Sequence, residues 1–270
     1  MRDDLLPVLA CPVCAEPLGR VPGGQVGCAD GHRFDEAKQG HLTLLPAKRR
    51  ALTADTPEMV DARLRFLGRG HYAPLERALA AVVASAGAPG IVLDVGSGPG
   101  TYLARVLQAA PERRGVALDL SAVAIRRAAR AHERAGAVVG DVTERLPVVD
   151  DAAAVLLDVF APRNQTEYAR VLHPDGVLAV VTPRAGHLAE LAEATIAVDP
   201  EKERRLHASL TPAFVPRSSE DLTWTMDLSA EDVHDVVHMG PSHHHVDPDR
   251  VFTSAVVTAA VTVSTWSRAR

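Results

Sequence analysis

Residues 91–107 read Ile91-Val92-Leu93-Asp94-Val95-Gly96-Ser97-Gly98-Pro99-Gly100-Thr101-Tyr102-Leu103-Ala104-Arg105-Val106-Leu107. A run of strand formers stops at a glycine-rich turn, and a helix-compatible segment begins directly after it. That order makes the first βα unit of a nucleotide-binding α/β sheet, where glycines let the backbone approach a ligand at the point of strand-order reversal. Spacing narrows the ligand. Gly96, Gly98 and Gly100 form G-x-G-x-G, whereas a dinucleotide turn uses G-x-G-x-x-G and would need glycine where Thr101 stands. A second strand, Val116-Ala117-Leu118-Asp119, ends in a carboxylate able to accept both hydroxyls of a ribose. A third, Ala137-Val138-Val139, runs into Gly140-Asp141-Val142, which could reach an adenine edge. Nothing there resembles a phosphate cradle with lysine.

The chain of 270 residues is long enough for one good core and a smaller module beside it. It contains no apolar run of the ~20 residues needed to cross a bilayer, so no membrane partner is expected. Met1-Arg2-Asp3-Asp4 carries acid and lacks a following apolar region, which makes a cytoplasmic protein the default. The net charge of −5 does not by itself suggest a nucleic-acid partner. It is unevenly placed: residues 1–71 hold ten Lys/Arg against nine Asp/Glu, the remainder nineteen against twenty-five. Residues 37–54 contain Lys38, Lys48, Arg49 and Arg50 and no acid. A polyanion-steering strip and a solvated linker fit that charge equally well.

All three cysteines fall within the first 28 residues, an odd number that argues against disulfides and for metal ligation. Cys11-Pro12-Val13-Cys14 and Cys28-Ala29-Asp30-Gly31-His32 supply C-x2-C and C-x3-H pairs, each on a tight turn. Three sulfurs and one imidazole suit a tetrahedral zinc site with no position left for water, so the ion is structural. Pro17, Gly19, Pro22, Gly23 and Gly24 mark a short hairpin between the pairs. A strand within residues 34–46 is expected to close this module, followed by a connector over 47–56.

Downstream, Pro57 starts a helix through Leu67 with Val60, Leu64 and Leu67 on one face, and Leu75–Ala86 forms a second. A fourth strand over 152–157 leads into Asp158-Val159-Phe160-Ala161-Pro162-Arg163-Asn164, then a helix over Thr166–Leu172 and a fifth strand over 177–181. His187–Leu191 opens a helix and Glu201–Ala208 forms a charged one. Strands at 222–228 and 256–266 flank a helix at 229–239, which completes seven strands. The run His243-His244-His245 sits in a turn-rich loop where neighbouring rings diverge, and it reads as incidental rather than metal-binding.

The glycine turn with Asp119 and Asp141 in register resembles class I S-adenosylmethionine-dependent methyltransferases. Zinc module, connector and core in this order resemble the 23S ribosomal RNA (guanine-N1)-methyltransferases, and the tylosin and mycinamicin resistance branch in particular. Leu9-Ala10-Cys11-Pro12-Val13-Cys14, Gly31-His32-Arg33-Phe34-Asp35, Gly70-His71-Tyr72-Ala73-Pro74-Leu75, the 159–164 loop, Val181-Thr182-Pro183…His187-Leu188-Ala189-Glu190-Leu191 and Met239-Gly240-Pro241-Ser242 carry the likeness. His41, where the family tends to have tyrosine, and the triple-histidine loop depart from it.

The resemblance implies an α/β class I fold: a Rossmann-like seven-stranded sheet with its last strand antiparallel, and a small N-terminal zinc-binding module. Its divisions are a zinc-binding RNA-recognition module (1–45), a connector and helix (46–74) and a methyltransferase domain (75–270). It implies S-adenosyl-L-methionine as cofactor at Tyr72, Asp94, Gly96, Gly98, Gly100, Thr101, Asp119, Leu120, Asp141, Val142 and His187. Tyr72 reads equally well as a helix-packing residue. Structural Zn2+ falls to Cys11, Cys14, Cys28 and His32. The partner is a 23S rRNA hairpin, the outcome macrolide resistance, and a homodimer is compatible. Asp158, Arg163 and Asn164 border the acceptor by location, and no catalytic base is assigned. Two other classes are a non-catalytic rRNA- or ribosome-binding protein on a retained core, and a small-molecule methyltransferase of antibiotic tailoring. The zinc module disfavours the second and the intact glycine turn the first.

Overall fold

The computed structural model describes residues 1–45, 54–195, 208–211, 213–247 and 250–269. Strands β5 (Ile91–Val95), β7 (Ala135–Val139) and β8 (Ala153–Val159) are buried at every position, as the near-continuous apolar runs of a parallel sheet require. With β4 (Leu42–Thr43), β6 (Gly115–Asp119), β9 (Leu172–Pro183), β10 (Phe214–Leu228) and β11 (Ala255–Arg268) they form one sheet in the order β10-β11-β9-β8-β5-β6-β7-β4. Strand β11 runs antiparallel to both its neighbours, and the pairings from β9 to β4 are parallel. Strand order reverses between β5 and β8, so the crevice opens beyond the end of β5, where the glycine turn stands.

The expected seven strands are present, and an eighth joins them. Strand β4 pairs Leu42 with Val138 and Thr43 with Val139, and so extends the methyltransferase sheet. The sequence suggested that this segment closes the zinc module. Leu42 does bridge back to Glu36, and it also pairs along the edge of β7, whose backbone groups would otherwise lack a partner. Strand β10 starts eight residues earlier than its alternation suggests, because Ser218-Ser219-Glu220-Asp221 pair with β11 through backbone while their side chains face water. The helix expected from His187 is only a 3-10 turn, Ala189–Leu191, preceded by a left-handed Leu188. The charged helix predicted at 201–208 falls almost wholly outside the described residues, as do Lys48, Arg49 and Arg50.

One face of the sheet is covered by helices α1 (Pro57–Gly68), α2 (Ala73–Ser85), α3 (Thr101–Ala109), α4 (Ala122–Ala128) and α6 (Ala230–His238). The other is covered by α5 (Gln165–Val171) and, in place of more helices, by the N-terminal segment. There β1 (Gly19–Arg20), β2 (Val26–Gly27) and β3 (Arg33–Phe34) make a small antiparallel sheet that includes the expected hairpin. Leu5, Leu6, Leu9, Leu18 and Val26 share one core with Ile91, Leu93, Val116, Leu118 and Val138. A bridge from Leu9 to Val148 ties the two parts by backbone as well.

Helix α1 is capped by the Thr56 side chain accepting from the Met59 N–H. It is held to α6 by ions: Arg65 donates to the fully buried Asp235 carboxylate at 2.6 and 3.0 Å, and Arg69 donates to Asp232 at 2.8 Å and Asp235 at 3.3 Å. Asp235→Ala would strip Arg65 of its carboxylate partner, while Arg69 would keep Asp232 and Glu231. It should lower stability by about 2 kcal/mol, read as a lower urea midpoint with unchanged m-value.

Candidate functional site

The turn after β5 exists because three positions in it hold left-handed backbone: φ is +66° at Gly96, +54° at Gly98 and +77° at Gly100. A Cβ at Gly96 would stand 2.5 Å from Ala161 Cβ, one at Gly98 2.8 Å from Arg63 Nη1, and one at Gly100 3.0 Å from Ala128 Cβ. The backbone conformation favours glycine at all three, and at Gly96 and Gly100 the close approach of a neighbouring segment requires it as well. Gly100 caps helix α3, and Thr101 opens its first turn.

Acids from consecutive strand ends surround this turn. Asp119 accepts the Gly98 N–H at 2.8 Å and the Ser121 N–H at 2.7 Å, bracing the glycine turn against the end of β6. Burial pushes its carboxyl up, and those two N–H groups oppose the rise. Asp94 is buried inside β5, with one oxygen near the Leu103 N–H and Oδ2 without any partner. Burial, with Asp119 and Asp158 close by, pushes its carboxyl up to about 8. Asp141 is also buried, and its Oδ1 accepts from the Thr143 N–H and hydroxyl at 2.9 and 2.6 Å. Leu120 and Val142, half-buried and buried, follow Asp119 and Asp141 at the same edge.

Tyr72 is fully buried and serves as the packing residue that one of its two readings expected. Its ring packs edge-on against Phe66 and Trp224, and its hydroxyl lies 3.4 Å from His187 Nε2. Burial keeps that phenol neutral. The Ala260 N–H donates to His187 Nδ1 at 3.1 Å, so the ring hydrogen sits on Nε2. Arg63 of α1 reaches over the turn, donating to Asp55 and to the Met239 carbonyl at 2.5 Å each. No local signal marks it, since Met239 lies 176 residues away in sequence.

The acceptor-loop candidates divide. Asp158 is fully buried and accepts from the Tyr168 hydroxyl at 2.9 Å and the Ala161 N–H at 3.3 Å. Asn164 caps α5 by accepting from the Glu167 N–H at 3.4 Å, and its amide donates to the Glu144 carbonyl at 2.9 Å. Arg163 is half-buried in the same loop.

Cys11, Cys14, Cys28 and His32 come together, each offering a ligand atom within 4.8 Å of the others. Cys28 Sγ lies 3.6 Å from Cys14 Sγ and 3.3 Å from His32 Nδ1. Zinc bonds of about 2.3 Å to sulfur and 2.0 Å to nitrogen give tetrahedral edges of roughly 3.5–3.8 Å, so the donor set fits zinc. Each turn carries one left-handed residue, Ala15 and Gly31. Among the described residues this is the one such cluster; His243 instead meets His238 Nδ1 to Nδ1 at 2.9 Å. His41 is buried beside β4 with Nδ1 unpartnered, and burial holds its ring below the usual histidine range.

Residues 9–51 match the family model described as RlmA, N-terminal, a zinc ribbon, and residues 92–176 match that of a methyltransferase domain. The 23S rRNA (guanine(748)-N1)-methyltransferase of Streptomyces fradiae is 47% identical over 258 residues, covering 93% of this chain and 91% of that protein. A Micromonospora griseorubida protein, provisionally named a 23S rRNA (guanine-N1)-methyltransferase, is 45% identical over 285 residues, with 98% and 96% covered. Among solved structures, a chain from a Haloferax volcanii complex of the Trm112 methyltransferase activator with a methyltransferase aligns at TM-score 0.50 and 16% identity. It covers 81% of this chain and 100% of its own, and supports the fold alone.

The cofactors are S-adenosylmethionine and a structural zinc ion. The orphaned Asp94 oxygen fits a ligand that brings an ammonium group, and the glycine cradle fits one that lies against backbone. Because Asp94 must ionise to pair with a cation, cofactor binding should tighten as pH rises from 6 towards 8. Asp94→Asn should weaken binding and flatten that slope in calorimetry. In the cofactor-free protein the sign reverses. A folded-state pKa above the unfolded value gives stability that is present below about pH 4 and lost as pH rises through about 8, so the Asn variant should melt higher than native protein at pH 8.

Proposed function

This chain belongs to the family of 23S rRNA (guanine-N1)-methyltransferases, and from that membership we propose that it methylates N1 of a guanine in a 23S rRNA hairpin. The same reading has it act in the cytoplasm and confer resistance to a macrolide; a homodimer is compatible with it. The observation that carries it is the joining of a four-ligand zinc cluster to the methyltransferase sheet through one apolar core. A small acceptor would need no such appendage. We assign residues 1–45 to RNA recognition, 46–74 to a connector and its helix, and 75–270 to cofactor binding and methyl transfer.

When bound, S-adenosylmethionine supplies an electrophilic methyl group. The chain's own residues hold and exclude. In this proposal Asp94 pairs with the ammonium end, Asp119 accepts ribose hydroxyls, and Leu120, Asp141 and Val142 border the adenine. Gly96, Gly98, Gly100 and Thr101 offer backbone, while Tyr72 and His187 close the top. Cys11, Cys14, Cys28 and His32 hold the zinc.

N1 of a paired guanine faces its complement, so the base must leave its stack before it can react. The N1 proton passes to water as the methyl arrives. His187 already carries its hydrogen on Nε2 and Asp158 is committed to Tyr168 and Ala161, so neither stands ready as a base, and alignment of the reactants supplies the rate. Asn164 caps α5 and donates to the Glu144 carbonyl, so it would have to exchange those partners to read the guanine.

Ribosomal RNA from cells making the protein should stop reverse transcriptase at one guanine, and Gly96→Ala should abolish the stop. An alanine there is left-handed and collides with Ala161. Absence of a stop with native protein would sink the proposal. Chelation of zinc should reach beyond RNA binding. Because the ribbon shares the sheet's core, losing about 3 kcal/mol there should lower Tm by roughly 10 °C and weaken cofactor binding as well.

A further inference from the structure

Phe160 follows β8 at the mouth of the crevice, and two features of it are costly. Its backbone is left-handed at φ +59°, a region that large side chains avoid. The residue is also 40% exposed, unusual for a phenylalanine. Among the described residues only Ala15, Asp151, Phe160 and Leu188 are left-handed without being glycine. Two of those four flank a single ring pair, for Phe160 stacks on His187 with centroids 6.1 Å apart at 30°, and Leu188 is the next residue along. Strain that the fold maintains at one spot points to function more often than to packing.

Every neighbour of the pair is fixed. The Phe160 N–H donates to the Val181 carbonyl at 3.2 Å, and the Leu188 N–H to the Thr258 carbonyl at 2.8 Å. His187 is held at both nitrogens, by Ala260 and by Tyr72. Ala161, the residue after Phe160, packs so closely on the glycine turn that Gly96 can bear no Cβ. The exposed ring therefore stands one residue from the turn that cradles the cofactor, backed by a rigid imidazole.

We propose that Phe160 is the platform on which the extruded guanine stacks, with His187 behind it fixing the plane of the ring. The proposal rests on the guanine-N1 reading above and adds the residue that holds the base. A base outside the helix has lost its stacking partners, and an aromatic face restores one without hydrogen bonds. Phe160 thus supplies retention, while choice of guanine must come from polar groups elsewhere. Contacts of the ribbon and backbone set how tightly the hairpin binds; the platform sets what fraction of bound hairpin has its base turned out. Its loss should accordingly appear in kcat rather than in KM.

The test compares native protein with Phe160→Gly, Phe160→Ala and Phe160→Trp, on a hairpin transcript whose modified guanine has first been mapped by primer extension. Glycine suits the left-handed backbone, so Phe160→Gly should melt no lower than native protein and bind cofactor with the same Kd. It should nonetheless lose about tenfold or more in kcat, with KM for the transcript within about twofold. Phe160→Ala should behave likewise, and Phe160→Trp should retain most of the rate. With 2-aminopurine at the mapped position, native protein should raise the fluorescence as the base leaves its stack, and the Gly variant should raise it far less. Unchanged kcat in the Gly and Ala variants, or a loss matched by weaker cofactor binding and a lower Tm, would overturn the platform. If native protein leaves no mapped stop at all, the guanine-N1 reading falls and takes this proposal with it.

Discussion

Three left-handed glycines at the end of β5 are the constraint on which the site depends. Each is approached from a different part of the chain: Gly96 by Ala161 after β8, Gly98 by Arg63 of α1, Gly100 by Ala128 of α4. A side chain at Gly96 or Gly100 would push back the segment packed on it, and one at Gly98 would displace the Arg63 guanidinium. A left-handed alanine would add about 1 kcal/mol or more of backbone strain before any collision is counted. The Asp119 carboxylate then fastens the turn to the next strand through the Gly98 N–H. The crevice is thus a space bounded by backbone, and its walls are fixed by how closely other elements can come.

The N-terminal segment solves a second problem. A parallel sheet needs both faces covered, and here one face is finished by a ribbon too rich in turns to hold itself together. The metal cluster fixes its two turns, its leucines fill the sheet's second face, and β4 occupies the sheet's open edge. Ribbon and sheet share one apolar core, so the ribbon's surface is fixed in place relative to the crevice.

Function draws on stability at two points. Asp94 keeps an unpartnered carboxyl oxygen in the core, and Phe160 keeps a left-handed backbone and a wet ring. Buried polar groups left unsatisfied and strained backbone are both unfavourable, and proteins concentrate them where a ligand will complete them. Elsewhere side chains hold the helices in place, from the Thr56 cap to the Ser229–Asp232 capping box and the ions between α1 and α6.

Much of this protein was legible in its residues. Glycine spacing, alternating acids at strand ends and paired cysteines are local signals, because turn geometry and metal ligation act over a few positions. Even the cap at Asn164 was written in Asn164-Gln165-Thr166-Glu167, though the likeness to a family drew attention to the acceptor instead. The sequence alone could not say that Leu42 joins β7, that Arg63 turns over Gly98, or that Phe160 and Leu188 adopt the conformation of glycine. Those outcomes depend on which edge stays open, which side chain has room and which strain the surroundings can sustain. Such conditions arise only when segments far apart in the chain pack together.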